Sequence, residues 1–263
     1  MLRAEHGWVS YTFRAVAALG LVFLLAPLAM MFPLSLEPGT MLRFPPVGAS
    51  THWYADYLGN RAWLASTLLS FQIALGAALI ATIAGTLAAV GLARMEARWR
   101  GLVTLILMSP IFLPTVVIAV AVYGVYASFR LVGTPLGLVA AHAVLTIPFV
   151  LLNVSAALAA APKVLEEAAM SLGASPIATF RQVTMPLIGK GIAAGAVFSF
   201  LVSFDEVVIA KFLAGSGAVT LPKRMLDGIF YEMTPMLAAI SVLLVLMNVA
   251  LALIGLALAR PRA

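Results

Sequence analysis

"PKVLEEAAMSLGASPIATFRQVTMP" (residues 162–186) interrupts an otherwise apolar chain, and its punctuation is helical. Pro162 suits the first turn of a helix, and Gly173 suits the position just past its end. Ser175 followed by Pro176 reads as an N-cap and a first-turn proline, opening a second short helix towards Gln182. The expected form is a helix–turn–helix laid across one face of a membrane rather than a flexible tether. Ala168 and Ala169 offer a small surface that another protein can approach closely, and Glu166 and Glu167 add charge. An amphipathic connector resting on the membrane accounts for the same residues on physical grounds alone.

The chain around this stretch is 63% hydrophobic and 10% charged, with a mean hydropathy of +1.09. Soluble domains sit near 45–50% apolar and about 25% charged, so the composition is that of an all-α integral membrane protein. With no cysteine, disulfides and thiolate metal sites are excluded. A net charge of +6 would suggest nucleic acid in a soluble domain; here it belongs to basic residues at membrane interfaces and implies no nucleic-acid partner.

Apolar runs near 15–35, 63–92, 102–127, 136–159, 191–213 and 236–259 are each long enough to cross a bilayer, giving six expected transmembrane helices. The first is too long for a signal peptide and has no small-x-small site after it, so it reads as a retained span. Six spans place both termini on one side. Arg3, Arg14, Arg94, Arg98, Arg100, Lys163, Arg181, Lys190, Arg260 and Arg262 fall on that side, and Arg43, Arg61, Arg130, Lys211, Lys223 and Arg224 on the other. The excess predicts cytoplasmic termini. The chain divides into 1–61, a first span with an outer Pro- and aromatic-rich segment, and 62–259, a five-helix core containing the loop 162–186.

The fifth run contains "SFDEVVIAKFLAG" (203–215), which sets two adjacent acids inside a span. A charge near the bilayer centre costs about 2.5–3.5 kcal/mol on insertion scales. On a continuous helix from Gly191, Asp205 would lie roughly 21 Å up and Lys211 roughly 30 Å. Lys211 would then stand about 140° from Glu206, poorly placed to pair with it. At least one acid therefore needs a partner from elsewhere: a cationic substrate, another helix or water. Capping of a helix break, or pairing with a neighbouring subunit, is the structural alternative. On the fourth run His142, Thr146, Phe149 and Asn153 share one helical face, which suits either a translocation path or interhelical hydrogen bonds. Gly191, Gly195, Ser199 and Ser203 form a small-residue stripe suited to helix packing, and Pro110 and Pro114 are expected to kink the third span.

The loop resembles the EAA loop of ABC-importer permeases, with Glu167, Ala168, Ala169 and Gly173 at the motif positions and Val183, Met185 and Pro186 at its Ile-x-Leu-Pro end. "RFPPVGASTHWYADYL" (43–58), the acids of the fifth span and "TLP" (220–222) resemble the second membrane subunit of spermidine/putrescine-type importers. Trp53 and Tyr54 match that branch's aromatic pair and are expected to anchor the interface or contribute to an outer gate. Ile111 departs from the branch, where an acid often follows the Ser-Pro found here as Ser109-Pro110.

The resemblance implies a type I ABC importer transmembrane domain in a bacterial inner membrane, importing polyamines by alternating access. It implies a second, related permease, two cytoplasmic ATPases that carry ATP and Mg, and a periplasmic or lipid-anchored binding protein. Glu166, Glu167, Ala168, Ala169, Gly173 and Pro186 would couple to the ATPase. Asp205 and Glu206, with His142, Thr146, Phe149 and Asn153, would line the path. The chain has no G-x-x-x-x-G-K-[ST] loop, and "LIGKGI" (187–192) lacks its spacing, so no nucleotide or other cofactor is expected on it. Aminoalkyl phosphonate, an opine-like compound and ferric iron are alternative cargoes. An ion-coupled secondary transporter would leave the loop unexplained, and an intramembrane enzyme lacks a Ser/His pair or an HExxH cluster.

Overall fold

The computed structural model describes residues 7–215 and 217–259, and every regular element among them is helical. In chain order these are α1 (Gly7–Ser35), α2 (His52–Gly59), α3 (Arg61–Arg94), α4 (Ala97–Phe112), α5 (Thr115–Ser128) and α6 (Pro135–Ala160). There follow α7 (Lys163–Ser171), α8 (Pro176–Thr179), a π-helical turn (Phe180–Thr184), α9 (Met185–Phe204), α10 (Val208–Leu213), α11 (Leu221–Tyr231) and α12 (Pro235–Ala259). Arg3, Arg260 and Arg262, used above to orient the chain, lie outside the described residues.

Two compact units emerge. The first comprises the described residues up to Arg61 together with Asp227–Asn248. Its α1 is apolar all round and has none of its spanning window buried within the chain. After α1 the chain is stapled rather than loose. Glu37, 2% exposed, accepts the amides of Gly39 and Val47 at 3.0 Å each, one on either carboxylate oxygen. In the same unit α12 buries Leu237, Ala238, Ala239, Ile240 and Val242.

The second unit is organised around α6. A Cβ on Gly85 of α3 would meet Val150 of α6 at 2.7 Å, and one on Gly195 of α9 would meet the Val150 Cα at 2.9 Å. Val150 itself is fully buried. Bare backbone on both flanking helices therefore lets α3 and α9 close on α6 to a distance that no side chain permits. Gly76 faces Val139 as Gly85 faces Val150, so α3 and α6 run in the same direction. Gly191 faces Asn153 and Ala157, and Gly195 faces Val150, so α9 runs against α6. The packing of the 191–203 stripe is thus the one expected from its small residues.

Parallel α3 and α6 require the chain between them to return across the bundle, and α4 with α5 does this as a broken pair. The two helices are bent by 103° at the break, a sharper form of the kink expected in the third span. Pro114 is the cause: the residue before a proline is driven out of the α region, and Leu113 is extended at φ −90°, ψ 138°. Pro110 sits inside α4 without ending it. By length and apolarity four helices qualify as spans among the described residues, or five if the bent pair is counted as one span. The sixth expected run falls in α12, which enters that count only as the shorter apolar helix Pro235–Leu251.

Two further expectations change. The fifth span does not begin near Gly191 after a separate loop helix; α8, the π turn and α9 form one continuous helical stretch, Pro176–Phe204. The segment 214–235, read as a loop, contains α11. Its start is tied to α3 by Leu221 N donating to Ser70 Oγ (2.8 Å) and Arg224 Nε donating to Ser66 Oγ (2.8 Å), with the guanidinium 5.6 Å from the Trp63 ring centroid.

Gly195→Ala is expected to destabilise the bundle by about 1–3 kcal/mol through overpacking against backbone. Gly189→Ala, where a Cβ meets nothing within 4 Å, should instead gain up to about 1 kcal/mol of helix propensity. Thermal unfolding of the two variants in detergent compares them directly.

Candidate functional site: a helix break with two acids and a loop clasped to the same helix

The span bearing Asp205 and Glu206 is broken at the acids. Helix α9 ends at Phe204, with Asp205 as its C-cap, and α10 begins at Val208. The helical angles expected between Asp205, Glu206 and Lys211 therefore do not apply. The two acids do different work. Glu206 Oε1 accepts the amides of Val208 (2.7 Å) and Ile209 (2.9 Å), satisfying donors that a helix start leaves orphaned. Asp205 has an exposed side chain with no hydrogen-bond or ion-pair partner among the described residues. The break is itself braced: Leu213 and Ile209 are buried in a cluster with Ile73, Ala119, Leu138 and Leu145, and Gly133 N donates to the Leu213 carbonyl at 2.7 Å.

Three phenylalanines collect beside this break, a feature the sequence analysis missed. Phe71 of α3 lies with its ring centroid 5.0 Å from Phe204 and 5.9 Å from Phe200, and Phe200 stacks on Phe204 at 5.7 Å. Phe200 and Phe204 show the i, i+4 spacing that signals a shared face. Phe71 is 129 positions earlier than Phe200, and only the approach of α3 brings it in. Phe200 also lines an open apolar cavity of about 600 Å³ between α3 and α9, whose other walls include Phe71, Leu75, Thr82 and Val197.

The polar stripe of α6 is buried at its His142 and Thr146 end. His142 is 1% exposed and Thr146 0%. His142 Nδ1 lies 3.0 Å from the Ser203 carbonyl oxygen and 2.9 Å from Ser203 Oγ; the carbonyl can only accept, so Nδ1–H is the donor to it. Thr146 Oγ1 donates to the carbonyls of His142 (2.9 Å) and Ala143 (3.2 Å) of its own helix. His142 is thus a buried contact between α6 and the small-residue face of α9, and Thr146 is buried with its hydroxyl committed to its own helix. Phe149 and Asn153 stay half-buried, with Asn153 Nδ2 donating to the Phe149 carbonyl at 2.8 Å.

Trp53 and Tyr54 are committed within their own segment. Trp53 Nε1 donates to the Glu37 carbonyl (2.9 Å) and Tyr54 Oη to Ser35 Oγ (2.7 Å). Both rings serve as staples between α2 and the end of α1.

The loop 162–186 has the punctuation read from its sequence. Helix α7 starts after Pro162 and ends in a Schellman turn: Gly173 N donates to the Met170 carbonyl (3.0 Å) and Ala174 N to the Ala169 carbonyl (3.1 Å). Gly173 has φ +89°, which a side chain disfavours. Ser175 caps α8 by accepting the Ala178 amide at 3.3 Å, with Pro176 in the first turn. Glu167 and Ala168 are exposed on α7, Pro186 is exposed on α9, and Ala169 is half-buried. Glu166 points the other way. Thr184 Oγ1, in a residue 1% exposed, donates to Glu166 Oε1 at 2.6 Å. That bond clasps α7 to the root of α9, so Glu166 is an internal strut rather than part of an outward docking face. Val164, Leu172 and Ile177 are 64%, 89% and 73% exposed on the same loop, an apolar surface with no cover in this chain.

Residues 81–260 match the family described as "Binding-protein-dependent transport system inner membrane component". The chain is 32% identical over 237 residues to the putrescine transport system permease protein PotI of Escherichia coli K12, covering 87% of this chain and 84% of that one. It is 30% identical over 211 residues to the spermidine/putrescine transport system permease protein PotC of Haemophilus influenzae, covering 79% and 81%. Among solved structures, a bacterial ABC transporter involved in alginate import superposes with a TM-score of 0.67 at 13% identity, covering 97% of this chain and 96% of that one. The helices adopt a type I ABC permease fold, and the chain belongs to the family of binding-protein-dependent transport system inner membrane components, as an ABC-importer permease subunit.

Proposed function

We propose that this subunit imports polyamines, putrescine-like dications above all, across a bacterial inner membrane. The observation that carries the cargo reading is Asp205: a carboxylate without a partner, exposed at a helix break, beside a cluster of phenylalanines. A unit-charge pair at 4 Å is worth about 4 kcal/mol at an effective dielectric near 20, enough to offset part of an ammonium group's lost hydration. The similarity to putrescine and spermidine permeases over most of the chain supports the same class. Ile111, where an acid often stands in the polyamine branch, favours a cargo with fewer positive charges.

The transporter assembles with a second, related permease, two cytoplasmic ATPases and a binding protein outside. An α1 with none of its spanning window buried is suited to lie against that second permease or lipid. ATP binding closes the ATPases on Glu167, Ala168 and the exposed apolar residues of α7 and α8. The Glu166–Thr184 clasp passes the motion to α9, whose far end carries Phe204 and Asp205 about 30 Å away. Access then alternates between the two faces, and hydrolysis resets the pair. This chain holds no nucleotide; its share is the path and the lever.

ATP-dependent uptake of labelled putrescine and spermidine by the whole complex in proteoliposomes tests the cargo. Asp205→Asn is expected to lower uptake at least tenfold while ATPase activity persists. Glu206→Gln, which keeps an oxygen for the Val208 and Ile209 amides, should retain most uptake, whereas Glu206→Ala should lower the yield of assembled complex. An active complex that takes up neither polyamine refutes the cargo reading and turns the assay to aminoalkyl phosphonates, opine-like compounds and ferric iron.

The lever is tested by transport per ATP hydrolysed. Glu166→Ala and Thr184→Val should each lower that ratio about fivefold, and the double variant should be no worse than either alone, the mark of one shared interaction. Glu166→Gln, still able to accept from Thr184, should restore it.

A further inference from the structure

A second cleft lies between α3, α4, α6 and α7, away from Asp205. Its volume is about 390 Å³. Leu92, Met108, Leu151, Leu152 and Leu158 supply apolar wall, and its two ionisable groups, Arg100 and Lys163, are both basic. The charges share one end. Arg100 lies in the first turn of α4 and Met108 lies about 12 Å further along it. Lys163 begins α7 just past the end of α6, and Leu151 lies about 12 Å back along α6 from Ala159. The cleft is therefore cationic at its mouth and apolar at its depth, the polarity of an amphiphile with an anionic head.

Neither cation is neutralised. Lys163 has no hydrogen bond or ion pair among the described residues. Arg100 donates from Nη2 to the carbonyls of Met95 (2.8 Å) and Ala93 (3.4 Å), which fixes the guanidinium over the end of α3 and leaves Nε and Nη1 for a ligand. The adjoining cleft of about 240 Å³ shares Lys163 and adds Arg94, Glu166 and Glu167. Of those acids, Glu166 is already held by Thr184. Leu152 is 51% exposed, so this wall opens to the outside of the chain.

We propose that this cleft binds an anionic phospholipid of the leaflet on the loop's side, its phosphate between Arg100 and Lys163 and an acyl chain along Leu151, Leu152 and Met108. Basic pockets between transmembrane helices on the cytoplasmic side suit such headgroups, and guanidinium and ammonium donors suit phosphate. The assignment to the cytoplasmic leaflet rests on the coupling role of the loop 162–186 proposed above. Because Lys163 is the first residue of α7, the bound lipid would brace the lever at its root.

The test titrates the assembled transporter in detergent with phosphatidylglycerol or phosphatidylcholine and counts retained lipid by native mass spectrometry. Wild type should prefer phosphatidylglycerol. Arg100→Gln and Lys163→Gln should each weaken it about fivefold and leave phosphatidylcholine unchanged. Leu152→Trp, which fills the cleft with both charges in place, should weaken both lipids. Equal binding of the two lipids by wild type, or undiminished phosphatidylglycerol in the charge variants, overturns the proposal. So does disulfide or photo-cross-linking from position 152 to the second permease or the ATPase, since a protein then occupies the cleft. Lost polyamine uptake with lipid preference intact refutes the cargo reading alone; intact uptake without lipid preference refutes the lipid site alone.

Discussion

Val150 sits at the point on which the second unit depends. It is fully buried between Gly85 on one side and Gly195 on the other, each so close that a methyl group in place of the glycine hydrogen would collide. In a bilayer no hydrophobic force draws helices together, because lipid tails are as apolar as leucine. Close dispersion contact and interhelical hydrogen bonds have to do it instead. The glycine pair supplies the first, and the His142–Ser203 bond two turns further along supplies the second. The directions of α3, α6 and α9 follow from these contacts, and the return of the chain through the broken α4–α5 pair follows from the directions.

The same packing ties the two functional regions to one element. Helix α9 is pinned to α6 along its middle, clasped to α7 at its root by Thr184, and ends at the break that holds Asp205. In the proposed mechanism a displacement of α7 would reach the acids through this helix. The π-helical turn at Phe180–Thr184 lies in that route, and such turns place an extra residue in the helical ladder at the cost of poorer hydrogen-bond geometry. Phosphate-bearing lipid at Lys163 would act on the opposite end of α7 from its Schellman turn, so lever and lipid site meet in one nine-residue helix.

Much was legible from local chemistry. Pro162, Gly173, Ser175 and Pro176 punctuate helices wherever they occur, because a missing amide, a missing Cβ or a capping hydroxyl acts within three residues. The stripe Gly191–Ser203 was legible for the same reason: its period is that of the helix. The adjacent acids were conspicuous, since charge inside an apolar run is costly. Their division of labour was hidden, because an unbroken helix was the default for an apolar run with no proline or glycine at 204–208. His142 and Thr146 looked like a path because a polar stripe is the same on paper whether it faces water or a neighbouring helix.

The sequence by itself determined the class, the loop and its helices and the family, all quantities set by composition, by spacing within about two turns, or by a motif of twenty-odd residues. Only the tertiary structure decided what each of those residues faces. It turned Glu166 inward onto Thr184, sealed His142 against Ser203, gave Glu206 to the helix and left Asp205 without a partner among the described residues, and brought Phe71 beside Phe204. It also put Arg100 and Lys163, sixty-three positions apart, at one mouth of one cleft. The physical reason is common to all of them. In a membrane bundle the partner of a polar group is chosen by which backbones can approach, and that choice depends on contacts between helices far apart in the chain.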